Sequence, residues 1–163
     1  MVSPKYPLQP LLEHRARGVD DATASLGDSV QRREQAEAAQ RRAEATRHSA
    51  KEQQASLRDD ERKRLGRGEL SVADLARGGA WEVGAQAALG VLARAVDVAG
   101  TKAGDLRDAE AEARDALARS MADRDVVVKD RARFDAEGKK AALAAEEEAA
   151  EEARRHPGRA ARS

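Results

Sequence analysis

The chain has 163 residues, 40% of them hydrophobic, but alanine supplies 37 of those and the aromatics are Tyr6, Trp81 and Phe134 alone. A methyl group buries little area, so this composition excludes a thick globular core and suits thin helix-on-helix seams, as in coiled coils and long helices. Thirty Lys/Arg balance thirty Asp/Glu, so the chain lacks both the cation excess and the base-stacking aromatics expected of a general nucleic-acid binder.

In chain order, the opening Met1-Val2-Ser3-Pro4-Lys5-Tyr6-Pro7 holds no apolar core of the kind a secretory leader needs. Prolines stand at positions 4, 7, 10 and 157, with none between 11 and 156. Proline breaks helix interiors, so this distribution permits very long helices, with Pro10 suited to a first turn and Pro157 to a stop. Helix 1 is predicted over about 9–66. Leu8, Ala22, Ala36, Ala43, Ala50 and Leu57 share one heptad row, interrupted by Arg15 and Ser29. A second row starts as Leu12, Val19 and Leu26 and turns polar as Arg33, Gln40, Arg47 and Gln54. The contact in mid-helix should therefore be thin.

A turn is predicted over 67–70, between Gly66 and the acidic capping box Ser71-Val72-Ala73-Asp74. Helix 2 follows over about 71–155, and a tail over 156–163. The row Leu92, Ala99, Leu106, Ala113, Ser120, Val127, Phe134, Ala141 and its companion Leu89, Val96, Ala103, Glu110, Leu117, Arg124, Arg131 alternate three and four apart. That is the spacing of a coiled-coil seam. Gly78, Gly79, Gly84, Gly90, Gly100 and Gly104 soften the first half of this helix, at about 1 kcal/mol each relative to alanine. A short turn forces the helices antiparallel. Pairing outward from it sets Leu57 near Ala80, Leu26 near Ala111 and Leu12 near Asp125, with helix 2 outrunning helix 1 beyond about Lys129. The expected fold is all-α: one long antiparallel two-helix coiled-coil hairpin forming a single domain.

Residues that could carry chemistry are scattered. His14, His48 and His156 lie far apart, and no spacing resembles a zinc or catalytic cluster. Gly66-Arg67-Gly68 lacks the Lys-Ser/Thr and the preceding strand of a phosphate loop, and Asp59-Asp60 has no cleft around it. No cysteine is present, which excludes disulfides, thiolate metal sites and a cysteine nucleophile and fits a reducing cytoplasm. The most apolar stretch, 83–99, is Gly/Ala-rich and interrupted by Arg94 and Asp97, so no direct membrane insertion is expected. The reading is a cytoplasmic protein with no catalytic residue, metal or cofactor. What remains is contact with other proteins. Trp81 is the only tryptophan, set among glycines where a two-helix chain has little to bury it, and Leu75 lies a little under two turns earlier. These two are the candidate partner-binding residues, tryptophan being favoured at binding hot spots.

Three segments carry a family resemblance. Lys5-Tyr6-Pro7-Leu8-Gln9-Pro10-Leu11-Leu12, continuing through Arg15, Val19, Asp20 and Ala22, forms the first. Arg64-Leu65-Gly66-Arg67-Gly68-Glu69-Leu70-Ser71-Val72-Ala73-Asp74-Leu75 is the second, and Phe134 followed by Lys139-Lys140 and an Ala/Glu run is the third. Together they resemble the FliJ/YscO family, stalk proteins of flagellar and virulence type III secretion. The abundant glycine and the scarcity of aromatics depart from that family. The resemblance implies a non-enzymatic stalk that links the secretion ATPase ring to the cytoplasmic domain of the export gate; some members of the family also handle export chaperones. It also places export-gate contact near the start of helix 2. Two other readings stand beside it: a generic structural coiled-coil scaffold, and a conditionally disordered stress-protective chain suggested by Ala/Glu/Gly richness.

Overall fold

The computed structural model describes residues 5–155. Pro4, Pro157, His156 and the tail 156–163 lie outside the described residues. Among those described there are two helices and no strand: α1, Gln9–Gly66, and α2, Val72–Arg155. The two pack against each other as an all-α hairpin.

The helix ends follow from local chemistry. Gly68 adopts φ +70°, the left-handed conformation that costs a side chain dearly. Around it, Glu69 N donates to Arg64 O at 3.0 Å and Gly68 N to Leu65 O at 3.0 Å. This crossed pair of bonds is a Schellman ending, which satisfies carbonyls the helix would otherwise orphan. Gly66 remains inside α1. On the far side, Asp74 N donates to Ser71 Oγ at 3.2 Å, while Ser71 N donates back to Asp74 Oδ2 at 2.9 Å. The expected capping box is therefore closed in both directions, with aspartate in the usual glutamate position. α2 runs unbroken through its six early glycines.

The covered residues of α2 follow the two heptad rows. From Leu89 to Val127 every member of both rows is buried or half-buried, including Glu110, Ser120 and Arg124. On α1 the rows are covered at Leu12, Val19, Ala22, Leu26, Ala36, Ala43 and Ala50, while Arg47 and Leu57 are exposed. The core is correspondingly thin. Among the described residues only Tyr6, Ala36, Ala103 and Val127 are buried apolar side chains, and no large side chain is completely enclosed.

The packing forms two compact units. One is Ser25–Arg114, which contains the turn. Here the seam carries an ionic layer. Glu110, 4% exposed, accepts from Arg33 Nε at 2.5 Å and also pairs with Arg114. Glu37 accepts from Arg33 Nη1 at 2.9 Å and from Arg107 Nε at 2.8 Å. The Arg107 and Arg33 guanidiniums hold the Glu37 carboxyl below its ordinary range, and the hydrogen bond to Glu110 raises Arg33 further. Closer to the turn, Arg58 pairs with Glu82, and Gly78 faces the Glu61 carboxylate so closely that any Cβ would collide with it. A side chain at position 78 would need only the Glu61 carboxylate to swing aside.

The other unit joins 5–24 to 115–155. Arg15 pairs with Asp123 at 2.8 Å, and Arg131 Nη1 donates to Gln9 Oε1 at 3.0 Å. Tyr6, 8% exposed, packs its ring on Phe134 with centroids 5.4 Å apart. Its hydroxyl donates to Asp130 Oδ2 at 2.7 Å. Burial first, then the Asp130 carboxylate, push the phenol up to about 12. This clasp corrects the expected overhang. Because Tyr6 reaches forward ahead of α1, α2 stays covered through Phe134 and Gly138 rather than only to Lys129, and from 139 to 155 every residue is exposed.

Two predictions follow from these contacts. Gly68→Ala should destabilise the hairpin by about 1–2 kcal/mol through left-handed strain, whereas Gly66→Ala, at an open helical position, should stabilise it by up to about 1 kcal/mol. Thermal unfolding of the two variants checks the opposite signs. Arg33→Leu alone should lower the melting temperature by leaving the buried Glu110 with Arg114 as its one remaining partner, and Arg33→Leu with Glu110→Leu should recover it. Spin-label distances across the hairpin should broaden in the double variant, because the apolar seam can then slide.

Candidate partner-binding surface

The start of α2 is built to be presented. Ser71 and Asp74 pin its first turn, and Arg77 Nη2 donates to Asp74 Oδ1 at 2.6 Å. The Ser71 hydrogen bonds, aided by Arg77, lower the Asp74 carboxyl from 3.8 to about 2. One and three turns on from this cap lie Leu75, 41% exposed, and Trp81, 44% exposed.

Trp81 is placed in both of the ways open to it. One side of the indole meets the hairpin, in a small groove of about 140 Å³ shared with Ala50, Gln54, Leu57, Ala85 and Leu89. The rest faces outward. Leu57, its neighbour across the hairpin, is itself 52% exposed. Leu75 does not line that groove. Six residues apart on a helix place it about 120° around from Trp81, so the two flank a convex face rather than one pocket.

Sequence reasoning did not single out Gln54. It is only 6% exposed, and its Nε2 has no hydrogen-bond partner among the described residues. The residue lines the Trp81 groove on one side and a larger groove of about 370 Å³, with Arg47, Lys51, Arg58 and Gln86, on the other. A buried amide without an acceptor costs roughly 1–3 kcal/mol. The signal available in the sequence was its place on a heptad row, the polar continuation Arg33, Gln40, Arg47, Gln54.

Elsewhere the surface is open and apolar rather than chemically equipped. Among the described residues no cluster of three or more His, Asp or Glu could hold a metal ion. α2 includes an 18-residue window whose mean hydropathy reaches 1.2, long and apolar enough by composition to cross a membrane, and none of it is buried. Val83 and Val91, 73% and 56% exposed, belong to this outward face. The arrangement can recognise an apolar helical or loop surface. No protein-family model, curated protein or solved structure matches the chain.

The cap gives a pH prediction. A carboxyl held near 2 contributes stability that is complete above the ordinary carboxylate range and is lost as pH falls through about 2. Protection of the amides over 72–80, measured against their intrinsic exchange rates, should therefore fall between pH 4 and pH 2. Ser71→Ala should remove most of that dependence and cost about 1 kcal/mol at neutral pH.

Proposed function

We propose that the chain is a non-enzymatic coupling stalk of a type III secretion export apparatus, acting in the cytoplasm beside the membrane machinery. On this reading it links the secretion ATPase ring to the export gate's cytoplasmic domain and handles export chaperones. Two lines support it. The proline-leucine opening, the turn sequence and the aromatic-then-acidic end resemble the FliJ/YscO family in the order that family uses. The half-exposed Trp81, next to the unsatisfied amide of Gln54, lies where the resemblance places export-gate contact.

The single observation that carries the reading is Trp81. An indole held on a capped helix with 44% of its surface in water is costly unless something else covers it. Its placement on a preformed helix means that little ordering entropy is lost on binding.

Titration against the export-gate cytoplasmic domain tests this. Trp81→Ala should weaken binding at least about tenfold with helicity unchanged. Gln54→Leu should raise the melting temperature of the free chain, by removing an unsatisfied donor, and leave binding unchanged. Absence of binding by the native chain, or equal binding by all three, would remove the proposal.

A further inference from the structure

Along the seam of the Ser25–Arg114 unit lies a groove of about 710 Å³. Its floor is small and apolar: Ala36, Ala39, Val91, Ala95, Val98 and Leu106. Val98 is 70% exposed and Val91 56%. The charged residues lining it are Arg32, Arg94 and Lys102, with no carboxylate among them. None of these three cations forms an ion pair or a side-chain hydrogen bond among the described residues, although many of the chain's other Arg residues do. A groove floored by alanine and valine admits a helix at close range only if that helix also presents small residues. A rim of three unpaired cations favours one that is acidic.

The chain itself contains such a helix. Residues 139–155 of α2 are helical and wholly exposed. Ala142, Ala145, Ala149 and Ala153 recur on one face, with Glu146 and Glu152 flanking it and Glu148 farther to one side. Glu146, Glu148 and Glu152 are unpaired among the described residues; Glu151 pairs with Arg155 at 3.3 Å. The lengths agree as well. The groove takes in α2 from Val91 to Leu106, about 24 Å of helix, and the segment 141–155 spans about 22 Å.

We propose that the groove of one copy receives the acidic Ala/Glu segment of a second copy. Small faces meet small floor, and Glu146, Glu148 and Glu152 meet Arg32, Arg94 and Lys102. Each copy has one groove and one acidic segment, so a reciprocal exchange closes as a two-fold dimer. The contact is modest in area and rich in charge, which makes the association reversible and sensitive to salt. It stands independently of the secretion reading above, since it concerns a different face and a different occupant.

Sedimentation velocity of the full chain, from micromolar to near-millimolar at low and high salt, tests it. The native chain should shift reversibly from monomer to dimer as concentration rises, and the shift should retreat at high salt. Two full-length variants separate the two surfaces: a groove variant with Arg32→Glu, Arg94→Glu and Lys102→Glu, and a segment variant with Glu146→Lys, Glu148→Lys and Glu152→Lys. Circular dichroism establishes that both remain helical. Each alone should be at least about tenfold weaker in self-association than the native chain. Mixed, they should associate again, because the acidic groove now meets the basic segment while the native acidic segment meets the native basic groove. A native chain that stays monomeric throughout overturns the proposal. So does a dimer that both variants keep, or a mixture that does not recover. If the native chain stays monomeric but sediments with phosphatidylserine vesicles, and the groove variant does not, the groove belongs to a membrane surface and the proposal is likewise overturned.

Discussion

Everything in this hairpin depends on the shortness of the alanine side chain. Alanine on both sides of a seam lets two helices approach closely, but it gives them little to interlock. Successive alanine layers are nearly identical, so an apolar seam of this kind tolerates sliding by a heptad with small loss. Register has to come from residues that are not interchangeable. Glu110 serves this purpose in the Ser25–Arg114 unit, since it is 4% exposed and meets its cross-helix partner Arg33 only in this alignment. Such a buried ionic layer adds little net stability relative to an apolar one; its best-attested contribution is to make one alignment preferable to its neighbours. The Tyr6 clasp has the same character in the other unit. Its ring on Phe134 and its hydroxyl on Asp130 are unique pairings in a chain with three aromatics.

The same small side chains explain why the surface is grooved. A leucine seam would spread over its flanks and cover them, and an alanine seam does not. Space is left beside Ala36 and Ala99, and again beside Gln54 and Ala85, where valines and an indole border open channels. The unsatisfied Nε2 of Gln54 lies in the same setting, beside Ala50, Leu57, Ala85 and Leu89, whose side chains carry no acceptor. Interaction surfaces and thin core are thus two consequences of one composition.

Much of the fold was legible because its signals are local. Gly68 needs only its own φ and the two turn bonds around it, and Ser71 with Asp74 close on each other within one turn, so the ends of the helices could be read from punctuation. The heptad rows on α2 were legible for a related reason. They are periodic, and burial follows them even where they turn polar, at Glu110, Ser120 and Arg124. Long-range pairing was harder. In the sequence Arg33 and Glu110 look like interruptions of two rows, and their partnership depends on register correct to within a residue. Tyr6 was missed for a different reason: it precedes α1 and belongs to no row, so no period announces that it extends the covered part of α2 to Gly138. At the candidate surface the sequence pointed to Trp81 by its uniqueness and gave no sign that Gln54 would be buried without a partner.

The glycines of early α2 connect stability to recognition. Each lowers the helix's intrinsic preference, yet α2 continues through all six without a break. An added methyl at Gly78 would displace only the end of the Glu61 side chain, and added methyls at Gly79, Gly84 and Gly104 would meet nothing. Gly79 and Gly84 therefore leave backbone open to the outside, beside the exposed Val83. A helix weakened in this way gains more from being covered than a leucine-rich one would, because a ligand seated there restores both the lost area and the lost helical preference. Binding that selects the folded segment adds its free energy to the segment's own stability. The face that is least able to protect itself is the one where an external contact has the largest effect on the hairpin.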